Sequence, residues 1–145
     1  MKTDLYTAAE AAKVLNQMKD RKLGSGILAL KVFDTVDALG RKAMFLEEEM
    51  NKIFRTNQAV PMDAENGDLR MVVKNEDGTV DEEKTTAFIQ EIVDIRKTEV
   101  DLDIEPFTMD ELDKFDLSPA DIGKIRFLIQ TKPEPKEEGP VITLE

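Results

Sequence analysis

Val32, Val36, Leu39, Ala43, Leu46, Met50 and Ile53 recur at alternating intervals of four and three residues. That alternation follows the turn of an α-helix, so all seven side chains fall along one seam of a single helix. Ile27, Leu28, Leu30, Phe33, Met44, Phe45 and Phe54 flank the seam and widen it into a broad apolar stripe. The pattern predicts one helix from about Gly26 to Arg55, roughly 45 Å long at about 1.5 Å per residue. Gly40, in its middle, costs about 1 kcal/mol relative to alanine and reads as a place for a second helix to cross closely. A helix of this length is either a spine for the rest of the chain or one strand of a self-associating coiled coil. The breadth of the stripe favours the spine, because a two-stranded seam is narrower.

The other elements are shorter. Thr7-Ala8-Ala9-Glu10 reads as a capping box opening a helix over 8–22, with Ala8, Ala11, Leu15 and Met18 on one face and Gly24 as its stop. Between Asn57 and Thr79, the turn signals Pro61, Asn66-Gly67 and Asp77-Gly78 bracket Leu69–Val73, which predicts a small β-hairpin. Thr79-Val80-Asp81-Glu82 reads as a second capping box, leading a helix over 81–97 with Phe88, Ile89, Ile92, Val93 and Ile95 on its apolar face. Two further helix starts follow at Thr108 and Ser118, stapled by Phe107 with Leu112 and by Leu117 with Ile122. Ile122, Ile125, Leu128 and Ile129 then predict an amphipathic helix over 119–130. The fold expected is α+β and mainly helical: a spine helix over about 26–55, three shorter helices and a small β element. These form one domain over 1–131, followed by a proline- and acid-rich arm over 132–145.

Composition narrows the chemistry. The chain has neither cysteine nor histidine, which excludes disulfides, thiolate and imidazole metal sites, and nucleophiles activated by histidine. No apolar run approaches a membrane span, and Met1-Lys2-Thr3-Asp4 lacks the apolar core of a signal peptide. Net charge is −11 and uneven: residues 1–56 hold ten Lys/Arg against eight Asp/Glu, whereas 57–145 hold ten against twenty-three. That imbalance argues against direct binding to a phosphate backbone.

Two stretches stand out for contact. Glu99, Asp101, Asp103 and Glu105 alternate with Val100, Leu102 and Ile104, which predicts a half-buried extended segment with an acidic outer face. Such a ladder of carboxylates could imitate nucleic-acid phosphates. Its plainer roles are solubility and the capping of helix starts. At the end of the chain, Val141, Ile142, Thr143 and Leu144 follow a run of alternating prolines and charges, and suit strand addition to a neighbour's sheet edge. Asn75, Asp77, Gly78, Thr79 and Asp81 echo the middle of a calcium loop. Aligned on Gly78, however, Val73 and Lys84 occupy positions that need Asp and Glu, so the stretch reads as an Asp-Gly turn. No metal site, cofactor or catalytic residue is expected.

Taken together, the short helix from Thr7 to Lys22, the long acidic one from Ile27 to Arg55, the turn Asn75-Glu76-Asp77-Gly78-Thr79, the segment Thr98–Ile104, and the pair Met109-Asp110-Glu111-Leu112 and Leu117-Ser118-Pro119-Ala120-Asp121 resemble a family of small uncharacterised tailed-bacteriophage proteins over residues 1–130. The resemblance implies a viral setting, in the virion or the host cytoplasm, and carries over no functional residue. The expected function is a non-enzymatic structural or assembly protein acting through contacts with virion proteins or copies of itself. The alternative is an acidic DNA mimic that blocks a nucleic-acid-binding site on a host enzyme, with a metal-dependent carboxylate enzyme a distant third.

Overall fold

The computed structural model describes residues 1–63 and 67–130. Strand β1 (Lys2–Asp4) leads directly into helix α1 (Leu5–Asn16), and α2 (Gly26–Asn57) follows as the spine. A hairpin of β2 (Val60–Asp63) and β3 (Leu69–Val72) precedes α3 (Glu82–Arg96). The chain then runs through β4 (Glu99–Asp101), α4 (Met109–Asp113) and α5 (Pro119–Lys124) to a 3-10 turn over Arg126–Leu128. This is a mainly helical α+β architecture with two small antiparallel sheets, β1 with β4 and β2 with β3.

The spine forms where the seam places it. Ser25 caps it by accepting from the Leu28 N–H at 3.2 Å. At its other end Gln58 turns left-handed (φ 53°), and the Ala59 N–H reaches back to the Phe54 carbonyl at 3.0 Å. The seam is spent within the chain. Val32 and Leu39 are buried with Ala8, Ala11 and Leu15 of α1, and Val36 and Ala43 pack on the same cluster. Further along, Leu46 joins Leu5 and Ala9, and Met50 and Ile53 pack on Val73, just after β3, and on Phe88 and Ile92 of α3. Both α1 and α3 therefore lie along the spine, in the arrangement of a core rather than a self-associating coil.

Several sequence expectations are corrected. Helix α1 starts at Leu5, because the Asp4 carboxylate accepts from the Thr7 N–H at 2.7 Å and caps ahead of Thr7. It also ends at Asn16, after which the chain tightens into i→i−3 turns that still bury Met18. Helix α3 is capped by Asp81, whose carboxylate accepts from the Lys84 N–H at 3.0 Å, while Thr79 belongs to the preceding turn. Helix α5 is six residues long and gives way to the 3-10 turn, so Ile125 and Leu128 are buried but Ile122 is exposed. Of the flanking apolar residues on the spine, Leu28 is buried, whereas Ile27, Leu30, Phe33, Met44 and Phe45 are exposed. Gly40 meets no close crossing either: a Cβ built there would find nothing within 4 Å.

The C-terminal third is fastened to the core by backbone as well as side chains. Phe107 and Ile129 form a parallel bridge, with the Phe107 N–H on the Leu128 carbonyl at 2.7 Å and the Gln130 N–H on the Phe107 carbonyl at 2.9 Å. Phe107 and Phe115 meet edge to face, 5.2 Å between centroids, and both are fully buried.

Candidate functional site

The acidic row occupies the outer side of β4 and its continuation. Glu99, Asp101, Asp103 and Glu105 are exposed, and Val100, Leu102 and Ile104 face inward, as the alternation requires. The regular strand covers only Glu99–Asp101, and its partner is β1, in the register Lys2↔Asp101 and Asp4↔Glu99. Positive charge therefore sits against the row. Lys2 lies opposite Asp101, and the α-amino group of Met1 contacts Asp101 Oδ1 at 3.1 Å. Asp103 and Glu105 line a depression of about 300 Å³ together with Asp34 and the Lys31 side chain. Among the described residues, no three acidic side chains converge where they could hold a metal ion.

The calcium-like stretch is a closed turn. The Asn75 N–H donates to the Thr79 carbonyl at 2.8 Å, and the Gly78 N–H donates to the Asn75 carbonyl at 3.0 Å. Asp77 Oδ1 accepts from the Thr79 hydroxyl at 2.6 Å and from the Thr79 N–H at 3.0 Å. Those two bonds, the hydroxyl's first, lower the Asp77 pKa below its ordinary value of 3.8. The loop's carboxylate is thus engaged by the loop itself.

The other displaced carboxyl is Glu111, the acid of a true capping box on α4. Its Oε1 accepts from the Thr108 N–H at 2.8 Å while the Glu111 N–H donates to Thr108 Oγ1 at 3.2 Å. The Lys31 ammonium of the spine donates to the same Oε1 at 2.9 Å and to the Pro106 carbonyl at 2.8 Å. It also stands 5.0 Å from the centre of the Phe107 ring. Partial burial raises the Glu111 pKa, but the Thr108 N–H and Lys31 together outweigh it and leave the pKa below the ordinary 4.5. This cluster ties the C-terminal third to the spine.

A concave apolar surface lies elsewhere, between α2 and the turns that follow α1. It is a groove of about 390 Å³, floored by Met18, Leu23, Val32 and Val36, with Phe33 and Met44 standing along one side. Phe33 is 60% exposed and Met44 is 63% exposed, although each sits within the groove. Gly40 lies between them and leaves the groove wall without a side chain. The rim carries Lys19, Arg21 and Arg41 against a single acid, Asp37, which is itself paired with Arg41 at 2.8 Å. The Arg21 guanidinium donates to the neutral carbonyl of Phe115, so its charge is not cancelled there. An open apolar trough with a net positive edge suits an extended or helical peptide that carries apolar and acidic side chains.

The sequence named Phe33, Met44 and Leu30 only as extensions of the seam. Their angular offset from the seam residues was the signal that they would face outward. Met18 reads as part of the first helix's apolar face, and nothing in its spacing, or in that of Leu23, marks the trough they floor. The proposed contact residues Val141, Ile142, Thr143 and Leu144 lie outside the described residues.

Comparison with protein-family models, with curated proteins and with solved structures finds no match to this chain. Among the described residues, no helix is long and apolar enough to cross a membrane.

Proposed function

We propose that this protein acts through protein–protein contact, receiving a partner segment in the groove between α2 and the turns after α1. The observation that carries this reading is the pairing of exposed Phe33 and Met44 with the bare backbone of Gly40 on one side of an apolar trough. Exposing a large apolar side chain forgoes about 1.5–3 kcal/mol of burial, and a central helical glycine costs about another 1 kcal/mol. Three such concessions on one face are accounted for when another chain covers it. The setting implied by the resemblance of residues 1–130 is a phage-like particle, in which the protein would serve as a structural or assembly component. In this role no bond is made or broken, and the carboxylates act as caps and solubilising charges.

The test is co-purification from particles or from the cells that make them, with tagged wild-type protein and the full-length variant Phe33→Glu. The wild type retains a stoichiometric partner that the variant loses while keeping its helical circular dichroism. Equal retention by both refutes the groove as the contact surface.

The acidic-mimic reading draws on the exposed row at Glu99, Asp101, Asp103 and Glu105. The row is interrupted by Lys2 and the Met1 amine, which weakens the likeness to an unbroken phosphate ladder. Its distinguishing result is a basic partner lost in the variant Asp101→Asn/Asp103→Asn/Glu105→Gln, and lost steeply with added salt.

A further inference from the structure

We infer that the occupant of the groove is a second copy of this chain, which inserts the apolar ridge of Ile27 and Leu30 at the start of its own α2. This rests on the groove reading and names its partner. The contact is head-to-tail: one face of each copy receives, and a different face inserts.

Shape comes first. Ile27 is 85% exposed and Leu30 is 61% exposed, about one turn apart at the start of the spine. They stand at the edge of the depression that Asp34, Asp103 and Glu105 line. The depression and the groove share no lining residue. Lys31 of the depression and Gly40 of the groove are nine residues apart, about two and a half turns, which sets them on opposite sides of α2. One helix thus carries a projecting apolar face and a hollow apolar face. Gly40 keeps the hollow open, so a turn of helix from another copy can lie close to its backbone.

Charge decides which face meets which. Lys19 and Arg21, close together in the turns after α1, have no carboxylate partner among the described residues and give the groove one positive edge. Asp34, Asp103 and Glu105 are exposed and make no ion pair among the described residues. Lys31 beside them is engaged by Glu111, so the ridge has a negative margin. Groove against groove would bring Lys19 and Arg21 of both copies together. Ridge against ridge would do the same with Asp34, Asp103 and Glu105. Both symmetric pairings set like charges face to face, whereas ridge into groove sets opposite ones.

Two different surfaces do not satisfy each other within a pair. The inserting copy still has its own groove free, so addition continues until a ring closes or a filament grows. Each link is one ridge in one trough, a small interface of the weaker class, so assembly responds steeply to concentration.

The test is sedimentation velocity of the full chain from micromolar to near-millimolar protein. It compares wild type with Phe33→Glu, which blocks the groove, and Leu30→Glu, which blocks the ridge. Circular dichroism checks that each variant keeps its helices. The average mass of the wild type should rise with concentration past that of a dimer, and added salt should weaken the association several-fold. Each variant alone should stay a monomer. Mixed in equal amounts, the two should give a dimer and nothing larger, because one retains only a ridge and the other only a groove. A wild type that stays monomeric throughout overturns the inference, as does association that salt or either substitution leaves unchanged. A mixture that stays monomeric while the wild type associates also overturns it, because the contact is then symmetric. If the wild type is monomeric yet Phe33→Glu loses its partner in the co-purification, the second copy falls and the groove reading stands. If Leu30→Glu abolishes association and Phe33→Glu does not, the groove reading falls as well.

Discussion

Replacing Lys31 by methionine tests what joins the C-terminal third to the spine. The substitution keeps most of the apolar stem and removes only the ammonium. That ammonium makes one charge-assisted bond to Glu111 at 2.9 Å, one to the Pro106 carbonyl at 2.8 Å, and stands over the Phe107 ring at 5.0 Å. The paired side chains are 18% and 27% exposed, so solvent screens them only in part. A charge-assisted hydrogen bond contributes about 1.5–3 kcal/mol and a cation–π contact about 0.5–1 kcal/mol. Losing the stem's fixed position returns some side-chain entropy, which brings the expected net loss to about 2 kcal/mol. In thermal melts followed by circular dichroism this lowers Tm by about 6–10 °C. The comparison is Arg41→Met, which breaks a 2.8 Å pair whose side chains are 77% and 52% exposed and should cost only a few tenths of a kcal/mol.

The same cluster has a pH signature with a definite sign. The folded Glu111 pKa lies below its ordinary 4.5, so its contribution is fully present above that value. It is lost as pH falls through the folded pKa. Stability should therefore decline below about pH 4.5, and Lys31→Met should flatten that decline by removing one of its causes. If Lys31→Met costs no more than Arg41→Met, or if the two acid limbs have the same slope, the ammonium is not what fastens the C-terminal third.

Other predictions follow from single contacts. Gly40→Ala should raise stability by about 1 kcal/mol in urea unfolding, since the added methyl meets nothing and the helix gains propensity. Leu39→Ala, at the fully buried centre of the seam, should cost about 2–5 kcal/mol, whereas Phe33→Ala should stay within about 0.5 kcal/mol of wild type. Thr85→Val leaves the buried Val73 N–H without the hydroxyl that accepts from it at 2.9 Å, at a cost of about 1–3 kcal/mol. Asp4→Ala should cost about 1 kcal/mol as a lost cap, while Thr7→Ala should cost much less, because its own hydroxyl does not cap α1.

How far these features were legible depends on the range of the forces involved. The spine was readable because its signal repeats over 32 residues, so Gly26–Asn57 matches the expected span within two residues at its far end. The hairpin around Leu69 was readable from its turn residues. Caps were read less well, for a specific reason. Thr7–Glu10 and Thr79–Glu82 both satisfy the spacing of a capping box, yet in each case an aspartate nearby supplies the cap, Asp4 for α1 and Asp81 for α3. The pattern records only which side chains could bond if the helix began there, and a carboxylate competes well for the same amides. Thr108 has no such rival and opens its helix as read, with Glu111 completing a capping box. Strand β1 was missed because its pairing partner lies about a hundred residues away in sequence, and three residues carry no periodicity of their own. The groove was missed for a related reason. A trough is a relation between Met18, Leu23 and one side of α2, and no local spacing encodes it.

The exposed side of α2 follows from what covers the helix. Helix α1 meets the seam with Ala8, Ala9, Ala11 and Ala12, and small side chains allow close approach between helix axes. Close approach has a geometric consequence: an alanine-rich helix of 12 residues is narrow as well as short, so it covers the seam and little beside it. Beside the start of α1, where Leu46 packs on Leu5 and Ala9, the sequence places Glu47, Glu48 and Glu49 off the seam, so polar residues suit the open faces of this helix. Beside the turns that follow α1 it places Phe33 and Met44 instead, both exposed. A helix that can be finished with glutamate on one stretch carries phenylalanine and methionine on another. Water suits the first; the partner segment proposed for the groove, lying against the bare backbone of Gly40, would suit the other.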